Sequence, residues 1–285
     1  MEINFDSFVN GMFEKSELLK ISRKFIMDTP QKFFPLIDDD VEINFEAEGC
    51  ELTQSPSLTF TLPLYAKPLS FKSNVSHNSI EEFLKNGLNK ASYYIGECIS
   101  PEFEKCGLYA NHSSERNMRT EGILKQLKDM SASTDLGFSK LIENNNMING
   151  ICEALNQFTD NGGANNNAVL FLPQSIYFEV KKEMENKDKI NFDFDIVNER
   201  ELNDVMYGWD KQKFDENGWI TTQEGKEVSN LKYGILTKKN NIAFGIYKDI
   251  NIKHDDIDRW ELAMKSDVKI IKEQHTIALP FKSKD

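Results

Sequence analysis

AVLFLPQSIYFEVKKEM (Ala168–Met184) opens the stretch that decides the fold, and AFGIYKDINIKHDDIDRWELAMKSDVKIIKEQHTIALPF (Ala243–Phe281) closes it. The first segment reads as a buried strand, a break at Pro173 and an amphipathic helix. The second reads as alternating strands joined by a charged, helix-like turn. Between them INFDFDIVN (Ile190–Asn198) predicts a strand and ERELNDVMYGW (Glu199–Trp209) a short helix. KYGILTKK (Lys232–Lys239) predicts a further strand, with Gly234 and Gly245 as candidate bulges. Nowhere in this stretch is there the spacing of a nucleophile, a metal site or a phosphate loop.

Upstream, TDNGGANNNA (Thr159–Ala168) is the clearest loop and marks a subdomain boundary. Before it lies a helical block. NSIEEFLKNGLNKASYYIGECI (Asn78–Ile99) predicts one long helix, with Ile80, Leu84, Leu88, Ala91, Ile95 and Cys98 among the apolar positions on one side. EGILKQLKDM (Glu121–Met130) predicts a second, and LGFSKLIENNNMINGICEALNQF (Leu136–Phe158) a third. Further upstream, VEINFEAEG (Val41–Gly49) and SLTFTLPLY (Ser57–Tyr65) each alternate apolar and polar residues. Together they predict a long β-hairpin, either a projecting arm or an ordinary edge hairpin. The first thirty or so residues place Phe8, Phe13, Leu18, Ile21, Phe25 and Ile26 at loosely helical spacing, in a segment expected to order against a neighbour.

With 285 residues and 39% hydrophobic content the chain can bury a substantial core. Twenty Phe against 8 Tyr and 3 Trp point to many rings without a polar handle, suited to a core or an interface. A formal charge of −12 argues against a surface that grips nucleic acid throughout. No run of about 18 apolar residues predicts a membrane span, and MEINFDSFVNGMFEKSELLK lacks the pattern of a secretory signal. Cys50, Cys98, Cys106 and Cys152 have no metal-finger spacing and are expected to be reduced.

Candidate chemistry is thin. His254-Asp255-Asp256-Ile257-Asp258 does not fit a calcium loop and reads as a solvated turn. Asp193 and Asp195 share one face of a predicted strand, where carboxylates could act as an acid/base pair or discourage wrong strand pairing. His77, His112, His254 and His275 form no metal-binding spacing, and no GxSxG, GxGxxG or P-loop occurs. No cofactor is expected.

The order of these pieces resembles the tailed-phage major capsid protein family, whose fold is shared with encapsulins. The local texture most similar to it is NNNAVLFLPQSIYFEVKKEM (Asn165–Met184) and the tail IAFGIYKDINIKHDDIDRWELAMKSDVKIIKE (Ile242–Glu273). The resemblance implies an α+β fold with residues 1–37 as an N-terminal arm and 38–75 as an extended β-hairpin. It makes 76–160, completed by strands in 263–285, a peripheral domain with a spine helix, and 161–262 an axial domain. It implies a non-enzymatic shell protein of a virion, assembled in the host cytoplasm with scaffold and portal proteins. Its copies would form pentamers and hexamers of an icosahedral head around double-stranded DNA, without sequence-specific binding and without a membrane. Phe33, Phe34, Phe60, Tyr65 and Phe71 are the candidate inter-subunit contacts, because aromatic residues concentrate at interface centres. The alternatives are an encapsulin-like compartment or a hydrolase assembled from distant residues such as Asp193, Asp195 and His254.

Overall fold

The computed structural model describes residues 3–37, 59–73, 87–109, 121–131, 136–144, 146–162, 167–186, 194–203, 205, 208–255 and 259–283. The fold is α+β. Its N-terminal segment departs from the expected arm. Helix α1 (Phe5–Lys15) is capped by Asn4, whose side chain accepts the Ser7 N–H at 2.9 Å. Ser16 does the same for α2 (Glu17–Ile21), accepting the Leu19 N–H at 3.0 Å. Phe8, Val9, Met12, Phe13, Leu18 and Leu19 are all buried in the main core. Strand β1 (Arg23–Met27) then joins a sheet by parallel pairing with β10 (Ile242–Tyr247). Residues 5–27 are thus part of the body, because their apolar face finds its partner within the same chain.

That partner is the long helix α3 (Leu88–Tyr109). A Cβ on Gly96 would lie 2.1 Å from the Phe8 carbonyl oxygen, and one on Gly11 would lie 2.0 Å from that of Tyr93. The two helices touch backbone to backbone, which only glycine permits. Ser92 Oγ accepts the Asn4 N–H at 2.9 Å, and Ser100 Oγ donates to the Met12 carbonyl at 2.6 Å. The helix continues past the expected end at Ile99, through Pro101, to Tyr109. An interior proline costs about 3 kcal/mol. Burial of Phe103 and Leu108 beyond it offsets that cost, at roughly 1.5–3 kcal/mol per side chain.

The first sheet has the order β1-β10-β12-β11, with β4 (Lys67–Ser73) also paired to β12. β11 is Asn251–Asp255 and β12 is Arg259–Ile270. Where a helix-like turn was expected after His254, Asp255 ends β11 and the chain is strand again from Arg259; residues 256–258 lie outside the described ones. Antiparallel pairing to β4 and to β11 holds β12 extended despite its charged sequence. The far half of β12 is closed by a side chain. On helix α4 (Ile123–Ser131), Gln126 donates through Nε2 to the Val268 carbonyl (2.9 Å) and accepts the Ile270 N–H at Oε1 (3.2 Å). The amide takes the place of a neighbouring strand. Gln126→Leu is expected to leave both backbone groups unpaired and to cost about 1–3 kcal/mol in urea denaturation.

The second sheet has the order β13-β9-β5-β6, with β5 (Ala168–Leu172), β6 (Asp195–Asn198), β9 (Leu231–Lys238) and β13 (Thr276–Lys282). Both faces of β5 are covered. Val169 and Phe171 enter the main core, while Ala168, Leu170 and Leu172 face helices α5 (Met147–Asp160) and α6 (Gln174–Asn186). This accounts for its unbroken apolar run. The expected helix from Leu136 begins only at Met147. The residues before it lie along β13, with Phe138 bridged to Ala278 and Ile142 to Phe281. In Glu199–Trp209 the described helical part is the single 3-10 turn Arg200–Leu202. β12 spans position 262/263 and β13 pairs with β9, so the expected boundary between axial and peripheral domains crosses a strand.

Candidate self-assembly interface

The hairpin differs from the expected one in its first strand. Ser57–Tyr65 contributes β3 (Thr59–Tyr65), but its partner is β2 (Gln31–Ile37), which runs through Pro35. Val41–Gly49 lies outside the described residues. Phe34 opposes Leu62, Leu36 opposes Phe60, and Phe33 opposes Pro63. Pro35 and Pro63 have no N–H, which a two-stranded ribbon tolerates because each strand is an edge. They also blunt those edges against unwanted pairing.

Period-two alternation gives the ribbon two unlike faces. Leu36, Leu62 and Leu64 are buried against Met27 and Ala243, and Phe34 and Phe60 pack on the same cluster. Phe34 meets Phe25 with ring centroids 4.6 Å apart. The opposite face carries Phe33 and Tyr65, exposed by 60% and 39% and held edge to face at 6.3 Å. The base of the ribbon is pinned by the buried Asp267, whose carboxylate accepts the Tyr65 N–H at 2.9 Å and the Val268 N–H at 3.0 Å. Burial raises the Asp267 carboxyl above its ordinary range, against those two bonds.

Of the five sequence-predicted contacts, the structure therefore brings Phe33 and Tyr65 together on the outside and turns Phe34 and Phe60 inward. Phe71 stands apart on β4 opposite Leu262, half-buried against the main core. A further aromatic was not singled out from sequence. Phe178 on α6 is 56% exposed beside Tyr177 (5.7 Å), whose ring carries Lys181 Nζ at 4.8 Å. Its position between Ile176 and Val180, off their buried face, was the available signal.

Asp195 is exposed and pairs with Lys239 at 3.4 Å, Asp193 lies outside the described residues, and His275 is buried. His254 is in β11, pairing with Trp260 of β12. Among the described residues no group of three or more His, Cys, Asp or Glu is placed to hold a metal ion. No described helix is long and apolar enough to cross a membrane. Burial pushes the Cys106 thiol up to about 11, which keeps it in its unreactive protonated form.

No family model matches the chain, and no curated protein matches it in sequence. Solved structures do match it in shape. The capsid of an empty GTA particle superposes with a TM-score of 0.54 at 10% identity, covering 94% of this chain and 97% of that one. A chain of the satellite phage P4 procapsid, solved with its size determination (Sid) protein, gives 0.54 at 13% identity over 100% and 93%. A chain of Mycobacterium phage Adephagia gives 0.52 at 10% identity over 95% and 91%. The chain has a capsid-protein fold. In this capsid-fold chain the likeness covers 94–100% of the length, at identities where only the fold is shared.

Proposed function

We propose that this chain is a major capsid protein that self-assembles, as pentamers and hexamers, into the icosahedral head of a virion around double-stranded DNA. The observation that carries the reading is the match of its fold to capsid subunits over 94–100% of the chain. The exposed Phe33–Tyr65 pair supports it. Two aromatic rings held in the open on a rooted ribbon cost solvation unless a second copy covers them. Repeated head-to-tail contacts of this kind close into rings.

In this reading the sheet β13-β9-β5-β6 with α5 and α6 forms the axial part. The sheet of β1, β4, β10, β11 and β12 with α3 forms the peripheral part, and α3 is its spine. The β2–β3 ribbon is the base of the extended loop that meets a neighbour, and residues 5–27 belong to the body rather than to a free arm. Scaffold and portal proteins would guide assembly, and the acidic surface would leave packaged DNA mobile. Sedimentation velocity and negative-stain imaging of the purified chain test the proposal. Closed shells in the megadalton range are expected. A monomer or small oligomer at all concentrations and salt conditions, alone and with its scaffold, would end it.

A further inference from the structure

Glu104 is the one described carboxylate with neither oxygen in a hydrogen bond to the protein and no exposure to solvent. It lies on α3 where three parts of the chain meet: the α1–α2 bend, α3 itself and the turn Arg200–Leu202. Glu199, 4% exposed, comes to the same place from the end of β6. Its carboxylate is already committed. Oε2 accepts the Leu18 N–H at 3.1 Å and Oε1 accepts the Arg200 N–H at 2.9 Å. Glu199 thereby ties the N-terminal helices to the second sheet; burial raises its carboxyl above the ordinary range, and these two bonds act against that.

Lys105 is the nearby cation that favours the charged form of Glu104. On its own helix Lys105 is shared between Glu102 (3.6 Å) and Glu201 (3.5 Å). Glu201, from the turn, adds a further negative charge. From α2, Ser16 is the nearby group that favours the ionised form. The α1–α2 charges are engaged elsewhere: Lys15 lies 3.9 Å from Glu97, and Lys20 lies 2.6 Å from Glu17. Arg200 is exposed. A second buried negative charge beside Glu199 would lack water and would have as counter-ion a Lys105 already shared with two other carboxylates.

We propose that Glu104 and Glu199 share a single proton, and that this proton latches the N-terminal helices onto α3 and the β6 turn, so that its loss loosens residues 5–22 from the body. Burial, followed by the Glu199 charge, holds the Glu104 carboxyl well above the ordinary range. The closed state therefore binds a proton that the opened state releases. The latch is at full strength below the ordinary glutamate range and weakens as pH rises towards the Glu104 value. The inference stands on one chain's own packing and is independent of the shell reading.

Hydrogen exchange of the full chain, followed by mass spectrometry from pH 5 to 9 and corrected for intrinsic exchange, tests it. Amides of residues 5–22 are expected to lose protection by about tenfold per pH unit where one proton is released on opening. Glu104→Gln, the neutral isostere, is expected to flatten that dependence while leaving amides of β5 and β9 unchanged. A protonated-carboxyl band in the infrared spectrum of the wild type at neutral pH, absent in Glu104→Gln, reports the proton directly. If that variant does not fold, the band's titration in the wild type alone decides. No such band at pH 7, a pH-independent protection pattern, or restoration of protection at high pH by millimolar calcium or magnesium would overturn the proposal, the last in favour of a bound cation.

Discussion

Gly96→Val is expected to lose about 3 kcal/mol of stability or more, with native protein recovered poorly at 37 °C. The added Cβ alone would sit 2.1 Å from the Phe8 carbonyl oxygen and 2.9 Å from the Met12 nitrogen. Both are backbone atoms of a capped helix, and neither can rotate away as a side-chain tip can. Relief requires α1 to lift from α3, which opens the packing of Phe8, Met12 and Phe13 and strains the Ser100–Met12 bond. Overpacking of a dense core commonly costs 1–3 kcal/mol, and rigid obstacles place this site at or above the top of that range. Thermal melts read the effect as a fall of at least about 6 °C. Lys90→Ala, on an exposed turn of the same helix, should stay within about 0.5 kcal/mol of wild type. A Gly96→Val protein that melts with the wild type would show that the helices do not touch as described.

Joint replacement of Phe33 and Tyr65 by Glu is expected to leave the monomer folded and to abolish shells. Both rings face outward, so the folded chain loses only their mutual contact. An interface that buries them loses two anchors, each worth about 2 kcal/mol at a central position, and must instead bury two charges. The concentration needed for assembly should rise by about a thousandfold. Sedimentation velocity would show the megadalton boundary replaced by a slow one, while circular dichroism melts stay unchanged. Phe34→Glu supplies the contrast. Its ring packs inward on Phe25, so that substitution should lower the melting temperature of the monomer itself. Normal shells from the Phe33/Tyr65 variant would remove this face from the interface.

The reading of single elements held where neighbours in sequence carry the information. Ala168–Leu172 is a buried strand because five consecutive apolar residues need cover on both faces, and Pro173 stops it before α6. The resemblance of the whole order of elements to capsid proteins likewise rested on their succession, which folding preserves. Elements were misread where distant partners supplied the deciding bonds. Leu136–Asn144 has helical spacing yet runs extended, because β13 offers it carbonyls and amides: Ser139 donates to Ala278 and Ile142 donates to Pro280. Gln31–Ile37 contains a proline and still forms a strand, since Thr59–Tyr65 returns beside it.

By itself the sequence determined the segments that must be buried, the loops that divide them and the α+β class, because apolar periodicity and turn chemistry are local properties. Tertiary structure alone decided that the N-terminal helices belong to the body, that Phe33 and Tyr65 share the open face, and that Glu104 is buried beside Glu199. Each of these depends on residues tens to hundreds of positions apart arriving at one place. Burial and unpaired charge acquire an energy only there, where water has been excluded.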